Sequence, residues 1–294
     1  MRPGLREDAL MQTRQFADLQ IPAIGLGAMP LTTEEYPDDR KSAAAIHAAL
    51  DAGIRLIDTA DAYAPDDYGM GANEEVVAKA LAGYSSDTDD VIVATKGGHT
   101  RPDGDWGLDG SPAYLRNACE ASIRRLGVEA IDLYQHHRPD PNVAYEDTMG
   151  GLRDLYDDGL IKRAGISNAG PDQIRLAYEI LGPALVSVQN QFSPKFRSSE
   201  PEIAVCEELG LAFLPWSPLG GMSDAKGLGA SHSVFADVAD KHGVSPQQVC
   251  LAWELSLSDV VIPIPGASRP ESIRDSAAAA DLRLTAEELT ALSA

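Results

Sequence analysis

The sequence is poor in cysteine and contains no long apolar run. Its cysteines, Cys119, Cys206 and Cys250, are widely spaced and never paired as C-x-x-C, so we expect reduced thiols and no metal site. No apolar stretch approaches the roughly 20 residues that a membrane-spanning helix needs. The charged, polar opening lacks the apolar segment of a signal peptide. These absences predict a cytoplasmic protein without a membrane partner.

Basic residues are also scarce. The 24 lysines and arginines stand against 45 aspartates and glutamates, which gives a formal net charge of −21. Such a balance disfavours nucleic acid as a partner, because binding to phosphates depends on Lys and Arg. No feature predicts an obligate protein partner. An anionic ligand would need local positive groups that act against the overall field.

The sequence does contain eight short runs rich in Ile, Val and Leu, separated by longer segments with helical spacing. Nearly continuous apolar runs are typical of parallel strands that are buried on both faces. The runs are PAIGLG (22–27), IRLID (54–58), VIVATK (91–96), IDLYQH (131–136), IKRAGIS (161–167), LVSVQN (185–190), LAFLPW (211–216) and VVIPIP (260–265). The helix predicted over residues 111–127 has Ser111 as its N-cap and Gly127 at its end.

A strand and a helix repeated eight times, without a dividing linker, predict an α/β fold: one parallel (β/α)8 TIM barrel domain over residues 1–294. The alternative is a doubly wound open sheet. That fold favours a G-x-G-x-x-G turn after the first strand, and GLGAMP does not provide one. Residues 1–18 are expected to form a tail and part of a hairpin at the N-terminal end of the barrel, and extra helices accompany the eight units.

Polar residues follow three neighbouring predicted strands. Asp58 ends the second run, Lys96 ends the third, and His137 lies just past the fourth, while Tyr63 lies in the loop after Asp58. The carboxyl ends of barrel strands converge on one mouth, so these four side chains are predicted to meet. Two substitutes remain open at this stage: Asp61 for Asp58, and His136 for His137.

An acid, a lysine, a tyrosine and a histidine at one place can transfer a proton. A tyrosine has an ordinary pKa of about 10, and a nearby ammonium group favours its phenolate form. The sequence therefore predicts that Lys96 lowers the pKa of Tyr63 towards the working range while Asp58 orients the lysine. A neutral histidine can hydrogen-bond a carbonyl oxygen. Such a site could protonate an oxygen while a hydride reaches the adjacent carbon.

These motifs, taken together, resemble the aldo-keto reductase superfamily over about residues 20–290. The segments that carry the resemblance are LIDTADAY, VIVATKGG, IDLYQHHRPD, AGISNAGPDQI, VSVQNQFSP, FLPWSPLGGM and VIPIPGASRPESI. The resemblance implies an oxidoreductase that uses NADPH, with NADH also possible, to reduce a small aldehyde or ketone. It gives Tyr63 the role of acid, Lys96 and Asp58 the roles of tuning and holding it, and His137 the role of orienting the carbonyl.

The resemblance also implies a set of cofactor-binding residues. Ser167, Asn168 and Gln189 match residues that bond the nicotinamide amide, and Trp216 matches the aromatic residue on which the ring stacks. Further positions in the matching loops are Ser217, Leu219, Gly220, Gly221, Gly266, Ser268, Arg269 and Ser272.

The last strand-helix turn departs from the family pattern. Many members carry Lys-Ser there, then an arginine and an asparagine; this chain has Gly266, Ala267, Ser268 and Arg269, with Ser272 and Ser276 at the later positions. Arg269 is the best candidate for a 2′-phosphate, and Arg274 is expected to assist. Lys226 is expected to close over the pyrophosphate.

Many relatives have a longer C-terminal loop than this chain, which ends at Ala294, so a more open substrate site is expected, shaped by the loop over 97–110 and by Trp106.

Two other functions are compatible with parts of the pattern. One is a Schiff-base aldolase with Lys96 as its nucleophile. The other is a regulatory module that binds the cofactor tightly and turns over slowly.

Overall fold

The structure is a computed structural model that describes residues 11–33, 36–221, 225 and 227–294. It begins with an antiparallel hairpin of β1 (Thr13–Phe16) and β2 (Leu19–Pro22). Phe16 and Ile21 of this hairpin are buried among side chains from the first residues of the barrel strands, such as Leu56 and Ile92. The hairpin therefore covers the N-terminal end of the barrel, as predicted, while residues 1–10 of the predicted tail and hairpin lie outside the described residues.

Seven parallel strands form one curved sheet in the order β3-β4-β5-β8-β9-β10-β11. Their bounds are Leu26–Gly27 (β3), Leu56–Asp58 (β4), Ile92–Gly97 (β5), Leu133–His136 (β8), Ala164–Ser167 (β9), Leu185–Gln189 (β10) and Ala212–Phe213 (β11). A small antiparallel pair, β6 (His99–Thr100) and β7 (Gly107–Leu108), lies in the loop after β5. The first predicted run was too long, because Pro22 belongs to the hairpin and the regular strand is limited to Leu26 and Gly27.

The eighth apolar run closes the sheet without forming a regular strand. On one side, Gly25 N and Gly27 N donate to the carbonyl oxygens of Pro263 (2.9 Å) and Pro265 (3.0 Å). On the other side, Phe213 N donates to Val260 O at 2.8 Å. Proline has no N–H, so Pro263 and Pro265 cannot supply the donors of a complete ladder. The run nevertheless joins both edges, and the fold is the predicted (β/α)8 barrel.

Helices pack around the outside of the sheet. Their bounds are Pro30–Thr33 (α1), Asp39–Asp51 (α2), Ala72–Ala82 (α3), Pro112–Leu126 (α4), Tyr145–Asp157 (α5), Pro171–Leu181 (α6), Glu200–Leu209 (α7), Leu228–Ser231 (α8), Ser233–His242 (α9), Pro246–Leu257 (α10), Pro270–Ala278 (α11) and Ala286–Ser293 (α12). The predicted signals of α4 are observed: Ser111 Oγ accepts from Tyr114 N, and Gly127 ends the helix with a φ of 69°. Short 3-10 turns occupy Pro102–Gly104, Gly182–Ala184 and Ala279–Asp281.

Apolar side chains fill two layers. The larger core lies between the helices and the sheet, and the smaller one lies inside the barrel above the hairpin.

The three cysteines are buried and free, and burial raises the pKa of Cys119 to about 12, so the thiol is protonated at neutral pH. Within the described ranges, no helix has the length and apolar character needed to cross a membrane.

Gly27 is predicted to be essential for closure of the barrel. A Cβ at this position would lie 2.8 Å from Ile264 O, a backbone atom that cannot rotate away. Gly27→Ala should therefore lower the free energy of unfolding by about 1–3 kcal/mol in urea denaturation. Gly150→Ala is the matched control, because a Cβ there meets nothing within 4 Å and α5 should gain ~0.5–1 kcal/mol. Equal effects at both glycines would contradict this account of closure.

Candidate active site

The carboxyl ends of the strands surround a cavity of about 400 Å³. Most residues predicted from the sequence line it, namely Asp58, Tyr63, Trp106, His137, Ser167, Asn168, Gln189, Trp216, Ser217, Leu219 and Gly266. Lys96 lies behind this wall, completely buried, and contacts Asp58 and Tyr63. The barrel thus brings together residues that are more than 200 positions apart in the sequence.

Lys96 connects the polar residues at the base of the cavity. Its Nζ donates hydrogen bonds to Asp58 Oδ2 (2.6 Å), to the backbone oxygen of Thr59 (2.9 Å) and to the hydroxyl oxygen of Tyr63 (3.1 Å). An ammonium group has three donors, so every one of them has an acceptor here. The orientation of the ammonium group is therefore fixed.

Asp58 is held by three strands besides its own. Its Oδ2 accepts from Lys96 on β5, and its Oδ1 accepts from the side-chain amides of Gln135 on β8 (3.1 Å) and Gln189 on β10 (2.7 Å). Gly165 on β9 lies between these two strands, and a Cβ there would come within 2.8 Å of Gln135 Cγ. The absence of a side chain at Gly165 lets Gln135 reach the carboxylate.

Asp61 does not replace Asp58. Both of its carboxylate oxygens are buried, and neither accepts a hydrogen bond from the described residues. Burial first, and then the nearby carboxylate of Glu74, raise the pKa of Asp61 well above its usual range. A carboxyl group that prefers its neutral form cannot orient an ammonium group, so Asp58 is the partner of Lys96.

Burial and charge together decide which of these groups is ionised. Burial lowers the pKa of Lys96, but the charge of Asp58 and the hydrogen bonds to Asp58 and Tyr63 outweigh it, and the pKa is raised above its ordinary value. Burial raises the pKa of Tyr63 above its ordinary value, and the charge of Lys96 offsets only part of this effect. The prediction of a lowered tyrosine pKa was therefore wrong, because desolvation of the phenolate outweighs the attraction of the ammonium. At neutral pH the lysine is charged and the tyrosine is neutral.

His137 stands beside Tyr63 at the cavity wall. The two rings meet edge to face with centroids 5.5 Å apart, and His137 O accepts from Asn168 Nδ2 at 3.0 Å. Burial, and then the charge of Lys96, lower the pKa of His137 well below its ordinary value, so the ring is neutral. Its Nδ1 is buried without a partner among the described residues, which leaves Nε2 to meet a ligand.

His136 points away from the cavity, because successive side chains of a strand alternate between its two faces. The ring is completely buried, with its centroid 6.1 Å from that of Tyr145, and neither nitrogen has a hydrogen-bond partner in the described ranges. Burial lowers the pKa of His136 to about 4. The position of His136 does not favour an exchange of roles with His137.

Sequence reasoning missed His99 and Arg101 in the loop after β5, and it missed Arg138, which directly follows His137 and also lines the cavity. His99 lines it, with its ring centroid 4.4 Å from that of His137 and 5.1 Å from that of Trp106. Arg101 does not line the cavity, but its guanidinium lies 4.3 Å from the centroid of the Trp106 ring and holds the tryptophan in place. The length of the loop was the only signal for His99 and Arg101, since no local pattern distinguishes either residue.

A hydrogen-bonded group lines another part of the cavity and consists of Ser167, Asn168 and Gln189. Ser167 Oγ donates to Gln189 O (2.7 Å) and accepts from Asn168 Nδ2 (3.0 Å). Asn168 has a φ of 57°, a left-handed conformation that asparagine tolerates better than most residues. The side-chain nitrogen of Gln189 is already used by Asp58, so its oxygen is the atom available to a ligand.

The loop after β11 completes this wall. The buried indole Nε1 of Trp216 has no partner among the described residues. Ser217 has a left-handed φ of 52° and follows Trp216 along the cavity. Gly221 lines the cavity, whereas Gly220 is not among its lining residues. The predicted Lys226 lies outside the described residues.

A second cavity of about 510 Å³ adjoins the first. Both cavities are bounded by Pro30, Leu219, Ala225 and Gly266. The second is also lined by Ser268, Arg269 and Ser272, and Arg269 Nη2 donates to Ser272 Oγ at 3.1 Å. Arg274 is exposed and does not line this cavity, so the expectation that it assists Arg269 has no support from its position.

Comparisons with known proteins agree with this fold. The profile of the Aldo/keto reductase family matches residues 23–294. An uncharacterised oxidoreductase of Schizosaccharomyces pombe is 35% identical over 281 residues, covering 94% of this chain and 87% of that protein. A probable aldo-keto reductase of Glycine max is 34% identical over 300 residues, covering 92% and 84%. The crystal structure of an aldo/keto reductase from Klebsiella pneumoniae with NADP and acetate superimposes with a TM-score of 0.81 at 27% identity, covering 96% of this chain and 94% of that one.

His136 is predicted to make stability depend on pH. Its pKa of about 4 lies below the ordinary value, so the folded protein keeps it neutral while the unfolded chain takes up a proton. The neutral ring therefore contributes to the free energy of unfolding above about pH 6.5, and this contribution is lost as the pH falls towards 4. The free energy of unfolding should fall by about 2 kcal/mol between pH 7 and pH 5.

His136→Leu should remove this loss, because leucine fills a similar volume and does not titrate. Urea denaturation of both proteins at pH 7 and pH 5 measures the difference, and titration of other groups cancels between them. Parallel loss of stability in the parent and in His136→Leu would contradict the prediction.

Proposed function

This chain belongs to the aldo/keto reductase family, and on that premise we propose that it reduces an aldehyde or ketone to an alcohol, with NADPH supplying a hydride to the carbonyl carbon and Tyr63 supplying a proton to the oxygen. The observation that carries the proposal is the triple contact of Lys96 with Asp58, Thr59 and Tyr63. This contact fixes a charged ammonium group 3.1 Å from the tyrosine hydroxyl.

The raised pKa of Tyr63 supports its role as a proton donor. The phenol is protonated at neutral pH, and when its proton moves to the carbonyl oxygen a phenolate is left behind. The ammonium group of Lys96 stabilises that phenolate at the moment it forms, without prior reorganisation. Lys96 thus acts mainly by stabilising the phenolate that the proton transfer produces.

His137 is suited to hold the substrate oxygen. A neutral imidazole donates one hydrogen bond, and Nε2 is the nitrogen that meets a ligand at the cavity wall. Its ring stands edge to face with Tyr63, so a carbonyl oxygen placed between them would contact both groups. Two donors then stabilise the negative charge that develops on this oxygen.

The two adjoining cavities support a long, bent cofactor such as NADPH. The residues that would hold its nicotinamide end all line the first cavity: Ser167, Asn168, Gln189 and Trp216. Ser268 and Arg269 would hold the phosphate at the adenosine end in the second cavity. The crystal structure of the Klebsiella pneumoniae relative, which contains NADP, is consistent with this use of the shared fold.

The aldolase alternative is disfavoured by the state of Lys96. A Schiff-base nucleophile must be a neutral amine, which requires a lowered pKa. The charge of Asp58 and the hydrogen bonds to Asp58 and Tyr63 raise the pKa of Lys96 instead, and all three of its protons are engaged. A module that only binds cofactor remains the second candidate, and turnover separates it from the reductase.

The first test of the proposal is the loss of NADPH absorbance with 4-nitrobenzaldehyde. Tyr63→Phe removes the donated proton and should lower kcat by about 100-fold to 10,000-fold, the usual contribution of a general acid. NADPH binding, followed by fluorescence, should persist in the variant because the cofactor residues are unchanged.

Tyr178→Phe is the matched control, since Tyr178 lies on the outer face of α6, away from the cavity. His136→Leu and His137→Leu separate the two adjacent histidines: only the second should lower kcat. If the parent binds NADPH but reduces no aldehyde in a wide panel, the cofactor-binding module is the better description.

Arg269 is predicted to decide the preference for NADPH over NADH. A guanidinium group on a phosphate forms charge-assisted hydrogen bonds, so Arg269→Gln should lower the ratio of kcat/KM for NADPH to that for NADH by about tenfold. Arg274→Gln makes the same change of charge at an exposed residue that does not line this cavity, and it should shift the ratio less. A larger effect at Arg274 would overturn the assignment.

A further inference from the structure

One positive side chain at the cavity has no role in the reaction proposed above. Arg138 directly follows His137, lines the first cavity and is exposed. It takes part in none of the salt bridges or side-chain hydrogen bonds formed among the described residues. Arg101, in contrast, is fully engaged, with bonds to Asp66 and to backbone oxygens that include that of Ala62. Arg138 is therefore available to a ligand.

The charges that line the cavity leave Arg138 uncompensated. Asp58 is the acidic residue among the described lining side chains, and Lys96 neutralises it. His99 and His137 are neutral, because burial first and then nearby positive charges, including that of Arg138, lower the pKa of each. The net charge of this wall is positive, although the whole chain carries −21. A local field of this sign attracts anions.

We propose that Arg138 binds an anionic group, a carboxylate or a phosphate, on the carbonyl substrate, and so selects negatively charged aldehydes or ketones. This inference rests on the proposed reductase function. The planar guanidinium group matches the geometry of carboxylate and phosphate oxygens and can bind them with two parallel hydrogen bonds. Because Arg138 and His137 are consecutive, the anion and the carbonyl oxygen are held by neighbouring residues, which fixes the orientation of the substrate.

The residues around Arg138 indicate that it contacts the substrate and not the cofactor. Arg138 shares its cavity with His99 and Trp106, and it does not line the second cavity, where Arg269 lies. The Trp106 ring is half exposed and is held by His99 and by Arg101. It offers a flat apolar surface to the body of a substrate whose anionic end reaches Arg138.

The test compares 4-carboxybenzaldehyde and 4-formylphenyl phosphate with the uncharged 4-nitrobenzaldehyde. In Arg138→Gln, the ratio of kcat/KM for an anionic aldehyde to that for the neutral one should fall about tenfold or more, as expected for loss of a hydrogen bond to a charged group. Arg138→Lys should restore part of the ratio. The aldehyde with the larger loss identifies the preferred anion, carboxylate or phosphate.

A binding measurement keeps this inference separate from the proposed function. Tyr63→Phe loaded with NADPH should bind 4-carboxybenzaldehyde more tightly than 4-nitrobenzaldehyde in calorimetry, and adding Arg138→Gln should abolish the difference. This result supports the inference even if the parent turns over no aldehyde. Arg124→Gln, an exposed arginine on α4, is the control for the change in net charge.

Two outcomes would overturn the assignment. One is an unchanged preference between anionic and neutral aldehydes in Arg138→Gln, in turnover and in binding. The other is a weakening of NADPH binding in Arg138→Gln that accounts for the whole loss of kcat/KM with every aldehyde, since Arg138 would then belong to the cofactor site.

Discussion

The buried ion pair between Lys96 and Asp58 is the interaction on which the rest of the site depends. Removing two charges from water costs several kcal/mol for each ion, and the cost is offset only when the remaining donors and acceptors are satisfied. Here they are: the 2.6 Å contact is supplemented by Thr59 O, by the Tyr63 hydroxyl and by two glutamine amides. Four strands must hold their register for this to happen, so the same contacts that fix the chemistry also tie the barrel together.

One consequence is a division of charge that suits proton transfer. Lys96 stays charged because its partners outweigh the effect of burial, whereas Tyr63 and His137 stay neutral because burial dominates for both. Neutral donors beside a fixed cation can stabilise a negative charge that exists only during the reaction. The resting site therefore carries almost no uncompensated charge at its base, and the exposed guanidinium of Arg138 at the same cavity stands out for that reason.

A second consequence is a separation between the base of the cavity and its rim. The base is made by strand ends, whose positions are set by sheet register, and the rim is made by loops such as the β6–β7 hairpin with Trp106. Loops on a rigid barrel can change without disturbing the core, which is why binding specificity resides in them. Arg138 and Trp106 line the first cavity, and Arg269 lines the adjoining one.

The sequence by itself determined the barrel and the meeting of Asp58, Tyr63, Lys96 and His137, because apolar periodicity is local and strand ends converge in any such barrel. It did not determine how the eighth run pairs, because its partners are backbone groups far along the chain. It also gave the wrong direction for the pKa of Tyr63, since desolvation depends on every atom packed around the phenol. Burial, hydrogen-bond partners and the place of Arg138 at the cavity, away from the ion pairs among the described residues, are set only when the chain folds, and the tertiary structure alone decided them.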